Sequence, residues 1–426
     1  MIRLYNGYVL TLDNGYTVPE RREVWVDDDI ICYVGPTVPE RPEFEREIDL
    51  QGNLLMPSFK NAHAHGPMNF LRSYADDLPL QSWLFNKVIP LEGKLTPDDI
   101  YALQRHAILE YLRNGITVSF EMYYHRDAIA AAGIDSGFRT VLSGGTAAGD
   151  DFGDVEMMLL KYNSFDCSNR LVSYLPGIHS EYLANLETLM FMRELLEEYK
   201  LPCYSHNSET ASEVEECIGR HGMTPTELFE EYGLYEFGGG GFHCVHMSAR
   251  DLEIFRDRGL YVVTCPGSNT KLASGIAPLA EFEKRGIRLA IGTDGAASNN
   301  ATSIFREMYL AATLPKLREN DASAVNATWV LEAACCGSAR AMNLHNSDCI
   351  SFGKNADLIV IDMHAPNMRP VHNVAKNLVY AGSDANVLMT MVKGKILYEK
   401  GEYHVGMDPD DIIVGAEAAT RRLTRS

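Results

Sequence analysis

At 426 residues the chain exceeds what one small core needs, and it suits one large domain with an appendage, or two to three domains. Hydrophobic content of 46% and charged content of 23% are ordinary for a soluble globular protein. A net charge of −20 argues against a nucleic-acid backbone as partner, which requires a basic face, and suits a cytoplasmic protein.

The start, Met1-Ile2-Arg3-Leu4-Tyr5-Asn6-Gly7, shows no charged-then-apolar leader, and no apolar run approaches the length of a membrane span. Nine scattered cysteines without a C-x-x-C pair are expected to be free thiols in a reducing compartment. The first fifty residues read as short strands punctuated by turns, such as Tyr8–Leu12, Glu23–Val26 and the run ending at Gly35-Pro36. The same texture returns at 357–361, 387–392 and 395–398. Residues 1–53 and 350–405 are therefore expected to form one small β-sandwich domain built from both termini.

Between them, eight apolar runs alternate with helical patterns: 54–59, 117–121, 140–143, 171–178, 203–206, 241–246, 261–265 and 289–293. One helix is signalled by Thr96 as cap, Pro97 at the first helical position and Asp98 and Asp99 in the first turn. It carries apolar Ile100, Leu103, Ile108, Leu109 and Leu112, and stops at Asn114-Gly115. Another covers 186–199. Eight alternations over residues 54–349 predict an α/β fold, a (β/α)8 TIM barrel, whose chemistry lies at the C-terminal ends of the strands. Residues 406–426 are expected to form a C-terminal helix, with acids first and Arg421, Arg422 and Arg425 last.

His63 and His65 follow the apolar run Leu54-Leu55-Met56-Pro57. Residues i and i+2 of a strand share a side, so an H-x-H strand end aims two imidazoles at one point. His179, His206, His246 and Asp294 fall at the ends of the fourth, fifth, sixth and eighth runs, and Glu209 follows His206 by three residues. Any one of these is an ordinary structural residue. Together, at one rim, they predict a metal site.

This set resembles the amidohydrolase superfamily, whose pattern is H-x-H after strand one, His after strands five and six, and Asp after strand eight. Leu78-Pro79-Leu80-Gln81-Ser82-Trp83-Leu84, Ile89-Pro90-Leu91-Glu92, Ser205-His206-Asn207-Ser208-Glu209-Thr210 and Gly292-Thr293-Asp294-Gly295-Ala296-Ala297-Ser298-Asn299-Asn300 look like the methylthioadenosine/S-adenosylhomocysteine deaminases and related triazine chlorohydrolases. The resemblance spans essentially the whole chain. Asn61-Ala62-His63-Ala64-His65 departs from it, with Ala where the family usually has Thr. The fourth run ends in Ile178-His179 without the Lys that two-metal members use as a bridging carboxylate, so a single divalent ion is expected. Its ligands are then His63, His65, His206 and Asp294. Zn2+ is the default, and Fe2+ is compatible with the same donors.

The expected activity is hydrolytic deamination of an adenine nucleoside to its inosine analogue plus ammonia. The divalent ion lowers the pKa of a water toward ~7. Glu209 shuttles the proton, Asp294 assists, and His246 orients the attacking oxygen. The resemblance puts Glu92 on ribose hydroxyls and His179 on a purine ring nitrogen, with Trp83 lining the pocket or anchoring the core. It matches Arg139 to an arginine facing a homocysteine tail, but a second arginine expected after it is absent from Gly144–Asp151. This favours methylthioadenosine, adenosine or 5′-deoxyadenosine over S-adenosylhomocysteine. The alternative reading keeps the site and changes the ring: a guanine, 8-oxoguanine or pterin deaminase, or a chlorotriazine hydrolase. Family analogy implies a homo-oligomer, dimer or tetramer, with a small-molecule substrate and neither nucleic-acid nor membrane partner.

Overall fold

The computed structural model describes residues 1–78, 80–164 and 171–425. Ser426, the last residue of the expected C-terminal helix, lies outside them.

Eight parallel strands make the barrel: Phe59–His65, Ile116–Glu121, Arg139–Ser143, Val172–Leu175, Cys203–Asn207, Gly239–His243, Tyr261–Thr264 and Arg288–Ile291, here called strands one to eight. Strands one to four pair in order, as do strands five to eight. The two arcs meet twice. Gly177 bridges Tyr204 between strands four and five. Beyond strand eight, Thr293 donates its N–H to the His63 carbonyl at 3.1 Å, and Asp294 pairs with Ala64 in strand one. The barrel interior is filled by one or two apolar side chains from each strand. Ala62, Val118, Phe120, Val141, Leu175, Tyr204, Phe242, Val263 and Ala290 form one buried cluster. Each large member contributes about 1.5–3 kcal/mol on burial.

The first strand differs from its predicted bounds. Leu54–Pro57 is hydrogen-bonded between strand Ile2–Val9 and strand Leu358–Ile361, outside the barrel. Ser58 separates it from strand one, which starts at Phe59 and contains both histidines. A continuous apolar run cannot reveal that it serves two sheets in succession. Nine strands from residues 2–57 and 358–403 form one hydrogen-bonded sheet. Its own core includes Leu4, Val24, Val26, Leu55, Leu358 and Met391.

The capping signals work locally. Helix Pro97–Arg113 begins at Thr96, whose side chain accepts from the Asp99 N–H while Asp99 accepts from the Thr96 N–H. Asp99 also accepts from Arg422 of the terminal helix Pro409–Thr424, which docks there through buried Ile412, Ala416, Ala419 and Leu423. Among the described residues, no helix is long and apolar enough to cross a membrane.

Candidate metal and catalytic site

The C-terminal ends of strands one, five and six bring four imidazoles to one rim. The His63 ring lies 4.8 Å from that of His65, 4.9 Å from His206 and 5.5 Å from His243. Asp294 closes the group, its Oδ1 3.1 Å from His65 Nε2 and 3.5 Å from His63 Nε2. Among the described residues, two overlapping triplets hold their ligand atoms within 4.8 Å of one another: His63, His65 and His206, and His63, His243 and Asp294.

The hydrogen bonds prepare these groups as ligands. His65 Nδ1–H donates to the Met122 carbonyl, and His206 Nδ1–H donates to the His179 carbonyl at 2.6 Å. Each bond anchors Nδ1 and turns Nε2 toward the common centre, the usual support for a metal-bound imidazole. His63 is fully buried, stacks on Phe242 at 3.9 Å, and among the described residues has no well-formed hydrogen bond at either ring nitrogen, Asp294 Oδ1 standing off at 3.5 Å. A buried imidazole without a partner is costly unless something else binds it. Burial drives His63 down to about 3, against the pull of Asp294. Burial, reinforced by the neighbouring imidazoles, holds His206 well below the usual histidine range. Burial opposes the Asp294 carboxylate, but the facing His63 and His65 outweigh it and keep the acid ionised, well below the carboxylate range. Asp294 Oδ2 accepts from Ser268 Oγ at 2.6 Å and from Ser298 Oγ at 2.7 Å, which leaves Oδ1 for the imidazole side. Imidazole nitrogens and one anionic oxygen around a common centre are the donor set of a single divalent ion.

Glu209 lies beside this centre. Its Oε2 is 3.9 Å from His243 Nε2, and its Oε1 accepts from Ser274 Oγ at 3.2 Å. Ser208 has φ +51°, and this left-handed residue turns the chain between His206 and Glu209. Glu209 precedes helix Ala211–His221, whose cap is Thr210, so it is not a first-turn acid. Its backbone is pinned by Glu213, which accepts the N–H of Ser208 at 3.1 Å and of Glu209 at 2.8 Å. Burial and the nearby Glu209 charge raise Glu213 to about 7.

The histidine at the end of strand six is His243, not His246. The strand stops at His243 because His243 and Cys244 both take positive φ, +69° and +50°. That conformation is uncommon for residues with a Cβ, and nothing in Phe242-His243-Cys244-Val245-His246 signals it. His243 Nδ1–H donates to Asn269 Oδ1 at 2.8 Å and is buried. His246 instead donates Nε2–H to the Ser274 carbonyl at 2.8 Å. It borders a separate cavity of about 490 Å³ with Val214, Ile218 and Arg318.

Arg139 is also misplaced by the sequence reading. It begins strand three, at the end of the barrel opposite the histidines. There its Nη2 donates to Asp357 Oδ2 at 3.0 Å, and both side chains are buried. Arg126, after strand two, is committed to the carbonyls of Ser143 and Gly144. Trp83 is 7% exposed and belongs to the main apolar core.

The structure does bring Glu92 and His179 to the rim. Tyr123 Oη donates to Glu92 Oε1 at 2.6 Å, and the Tyr123 ring is 6.2 Å from His65. Burial raises the Glu92 carboxyl despite that bond. The His179 ring is 4.6 Å from that of His206, and burial lowers it to about 4. Tyr123, Glu213, Ser268, Asn269 and Ser274 went unread in the sequence. Ser298 lay within the motif that signalled Asp294, which was its only signal.

Residues 54–397 match the amidohydrolase family. This chain belongs to that family. The amidohydrolase is 36% identical over 395 residues to a 5-methylthioadenosine/S-adenosylhomocysteine deaminase of Moorella thermoacetica, covering 91% of this chain and 92% of that one. It is 34% identical over 396 residues to the enzyme of the same name from Caldicellulosiruptor saccharolyticus, covering 92% of each. Its fold superposes on a zinc-bound adenosine deaminase of Xanthomonas campestris with a TM-score of 0.92 and 30% identity, covering 100% of this chain and 99% of that one. The family membership and the barrel are thus those expected from the sequence.

Proposed function

We propose that this amidohydrolase deaminates an adenine nucleoside hydrolytically, giving the inosine analogue and ammonia, with one divalent ion, zinc first, held by His63, His65, His206 and Asp294. The observation that carries the reading is the position of Glu209, within 3.9 Å of His243 Nε2 at the edge of the imidazole and Asp294 cluster. A bound divalent ion supplies Lewis acidity and makes water nucleophilic near neutral pH. Glu209 would take one proton from the attacking water and deliver it to the ring nitrogen as the C–O bond forms; the remaining hydroxyl proton would then pass to the amino group, and the C–N bond breaks to leave the carbonyl and ammonia. His243, oriented by Asn269, would stabilise charge developing on the attacking oxygen. Asp294 Oδ1, which faces the imidazoles, would hold the ion and help pass the proton. Water is consumed, ammonia leaves, and no redox change occurs.

Glu92, which accepts from Tyr123, would take the ribose hydroxyls, and His179, beside His206, a purine nitrogen. Arg139 is spent on Asp357, so neither arginine of a carboxylate clamp faces the mouth. This supports methylthioadenosine, adenosine or 5′-deoxyadenosine as substrate in preference to a homocysteine-bearing nucleoside. A cytoplasmic location is part of the proposal, supported by the free thiols of all eight described cysteines. So is a homo-oligomer, supported by the exposed Met157, Leu160, Leu186 and Met190 on two helices that meet at the Phe152–Phe191 stack. Light scattering in solution measures the latter.

The test is ammonia release by zinc-reconstituted protein from a panel of purine nucleosides, free purines, pterins and chlorotriazines. The proposal expects adenine nucleosides to lead, with Glu92→Gln lowering turnover of nucleosides much more than of free adenine. Equal losses on both, or a lead by another ring, would overturn it.

A further inference from the structure

Glu307 is buried, makes no ion pair among the described residues, and touches none of the metal ligands. It lies in the first turn of helix Ile304–Glu319 and is fully inaccessible to solvent. Its Oε2 accepts the Gly267 N–H at 2.8 Å, and its Oε1 accepts Asn299 Nδ2–H at 2.9 Å. Gly267 belongs to the short helix Pro266–Lys271 after strand seven and Asn299 to the turn after strand eight, and each segment feeds the reaction centre. Ser268, next to Gly267, donates to Asp294 Oδ2, and Asn269 orients His243. Ser298, next to Asn299, donates to the same Asp294 oxygen. Asn299 Nδ2 also donates to the Thr293 carbonyl at 2.7 Å, while the Thr293 N–H lies within reach of Asn61 Oδ1 and the His63 carbonyl. One carboxylate therefore ties together both segments that aim Asp294 and His243.

We propose that Glu307 is a positioning residue that sets Asp294 and His243 jointly, acting through Ser268, Asn269 and Asn299, an inference that rests on the deaminase reading above. The argument is one of cost and chemistry. A buried carboxylate without a cation is unfavourable, and packing alone would be served better by an apolar side chain. Both its partners are donors, so two acceptor oxygens are needed. Glutamine has the same shape but offers one acceptor and opposes the other donor with its NH2 group. The short helix is also pressed against the acid: a Cβ at Gly267 would collide with Glu307 Oε1 and Asn299 Nδ2. Outer partners of this kind typically change metal affinity or turnover by about 10–100-fold.

The experiment compares the wild type with E307Q, S268A, N269A and the double variants E307Q/S268A and E307Q/N269A. Zn2+ affinity is measured by chelator competition, the Co2+-substituted protein by its visible spectrum, and the zinc form by kcat and KM on the best nucleoside. The expected result is that E307Q weakens Zn2+ binding about tenfold or more, alters the Co2+ spectrum, and lowers kcat while KM stays within about threefold. Each double variant should lose less than the sum of its singles, because the losses share a path. Zn2+ affinity within about twofold of wild type with an unchanged Co2+ spectrum would overturn the proposal, leaving a structural role visible only in melting temperature; so would full additivity. Should E307Q not fold, Asn299→Ala removes one of the same contacts from the other side, and unchanged Zn2+ affinity there overturns the proposal equally. The Zn2+ and Co2+ readouts need no substrate, so a protein inactive on every nucleoside would refute the deaminase reading, whereas unchanged Zn2+ and Co2+ readouts in E307Q would refute the positioning role alone.

Discussion

His243 and His246 are three residues apart, and the structure assigns them opposite fates. His243 is 1% exposed, its Nδ1 is fixed on Asn269 at 2.8 Å, and its Nε2 faces Glu209 at 3.9 Å. The His246 ring hydrogen-bonds the Ser274 carbonyl, beside a cavity lined by residues outside the metal cluster. Replacing His243 by Gln keeps the volume close and removes the group that faces developing charge. The loss of one such preorganised donor is worth about 2.7–4 kcal/mol, or about 10²–10³ in kcat. Replacing His246 by Gln leaves an N–H able to reach the same carbonyl, so kcat/KM should stay within about threefold, under about 0.7 kcal/mol. The assay is ammonia release on the leading nucleoside, with zinc content measured for each variant and circular dichroism to check folding. Zinc content matters because His243 also belongs to one of the two ligand triplets. A His246 variant as impaired as the His243 variant, or a His243→Gln enzyme retaining more than a tenth of wild-type kcat with zinc bound, would refute the assignment.

Glu209→Gln should cost about 10²–10⁴ in kcat with zinc content unchanged, since the amide cannot accept the proton; near-normal kcat at full metal occupancy would contradict it. Arg139→Met should leave kcat/KM nearly unchanged while lowering stability by about 3–5 kcal/mol in urea unfolding, because Asp357 is left buried without its partner. A large rise in KM instead would return Arg139 to the substrate. Glu307 is held at about 7 by burial, against an ordinary value of 4.5. Between pH 4.5 and 7 the folded protein keeps a proton that the unfolded chain has released, so this group makes stability fall as pH rises through that window, by up to about 3 kcal/mol. Urea unfolding of the metal-free protein at pH 5 and pH 7 should show a shallower fall for E307Q than for wild type; identical slopes would refute the shift.

Much of the site was legible before any fold was known. The period-two geometry of a strand makes His63 and His65 a pair, and Glu209 follows His206 closely enough to share its rim. Thr96 and Asp99 likewise announce their helix by capping chemistry that involves only neighbours in the chain. Where the reading failed, the deciding contact was distant. Leu54–Pro57 joined the small sheet because residues 358–361 pair with it, 300 positions later in the chain. Arg139 faces Asp357, and its neighbours in sequence say nothing of that partner.

The chain alone determined the chemistry available: which residue types are metal donors, which acid follows a donor, and which runs alternate strand with helix. These depend on side-chain identity and on backbone periodicity, both local. Only the folded arrangement decided which histidine of strand six turns inward, since two left-handed residues end that strand and neither is glycine. It also decided that Ser268, Asn269, Ser298 and Glu307 stand behind Asp294 and His243. Those contacts arise where the stretches after strands seven and eight meet a helix, and hydrogen bonds between distant segments leave no periodic trace in sequence.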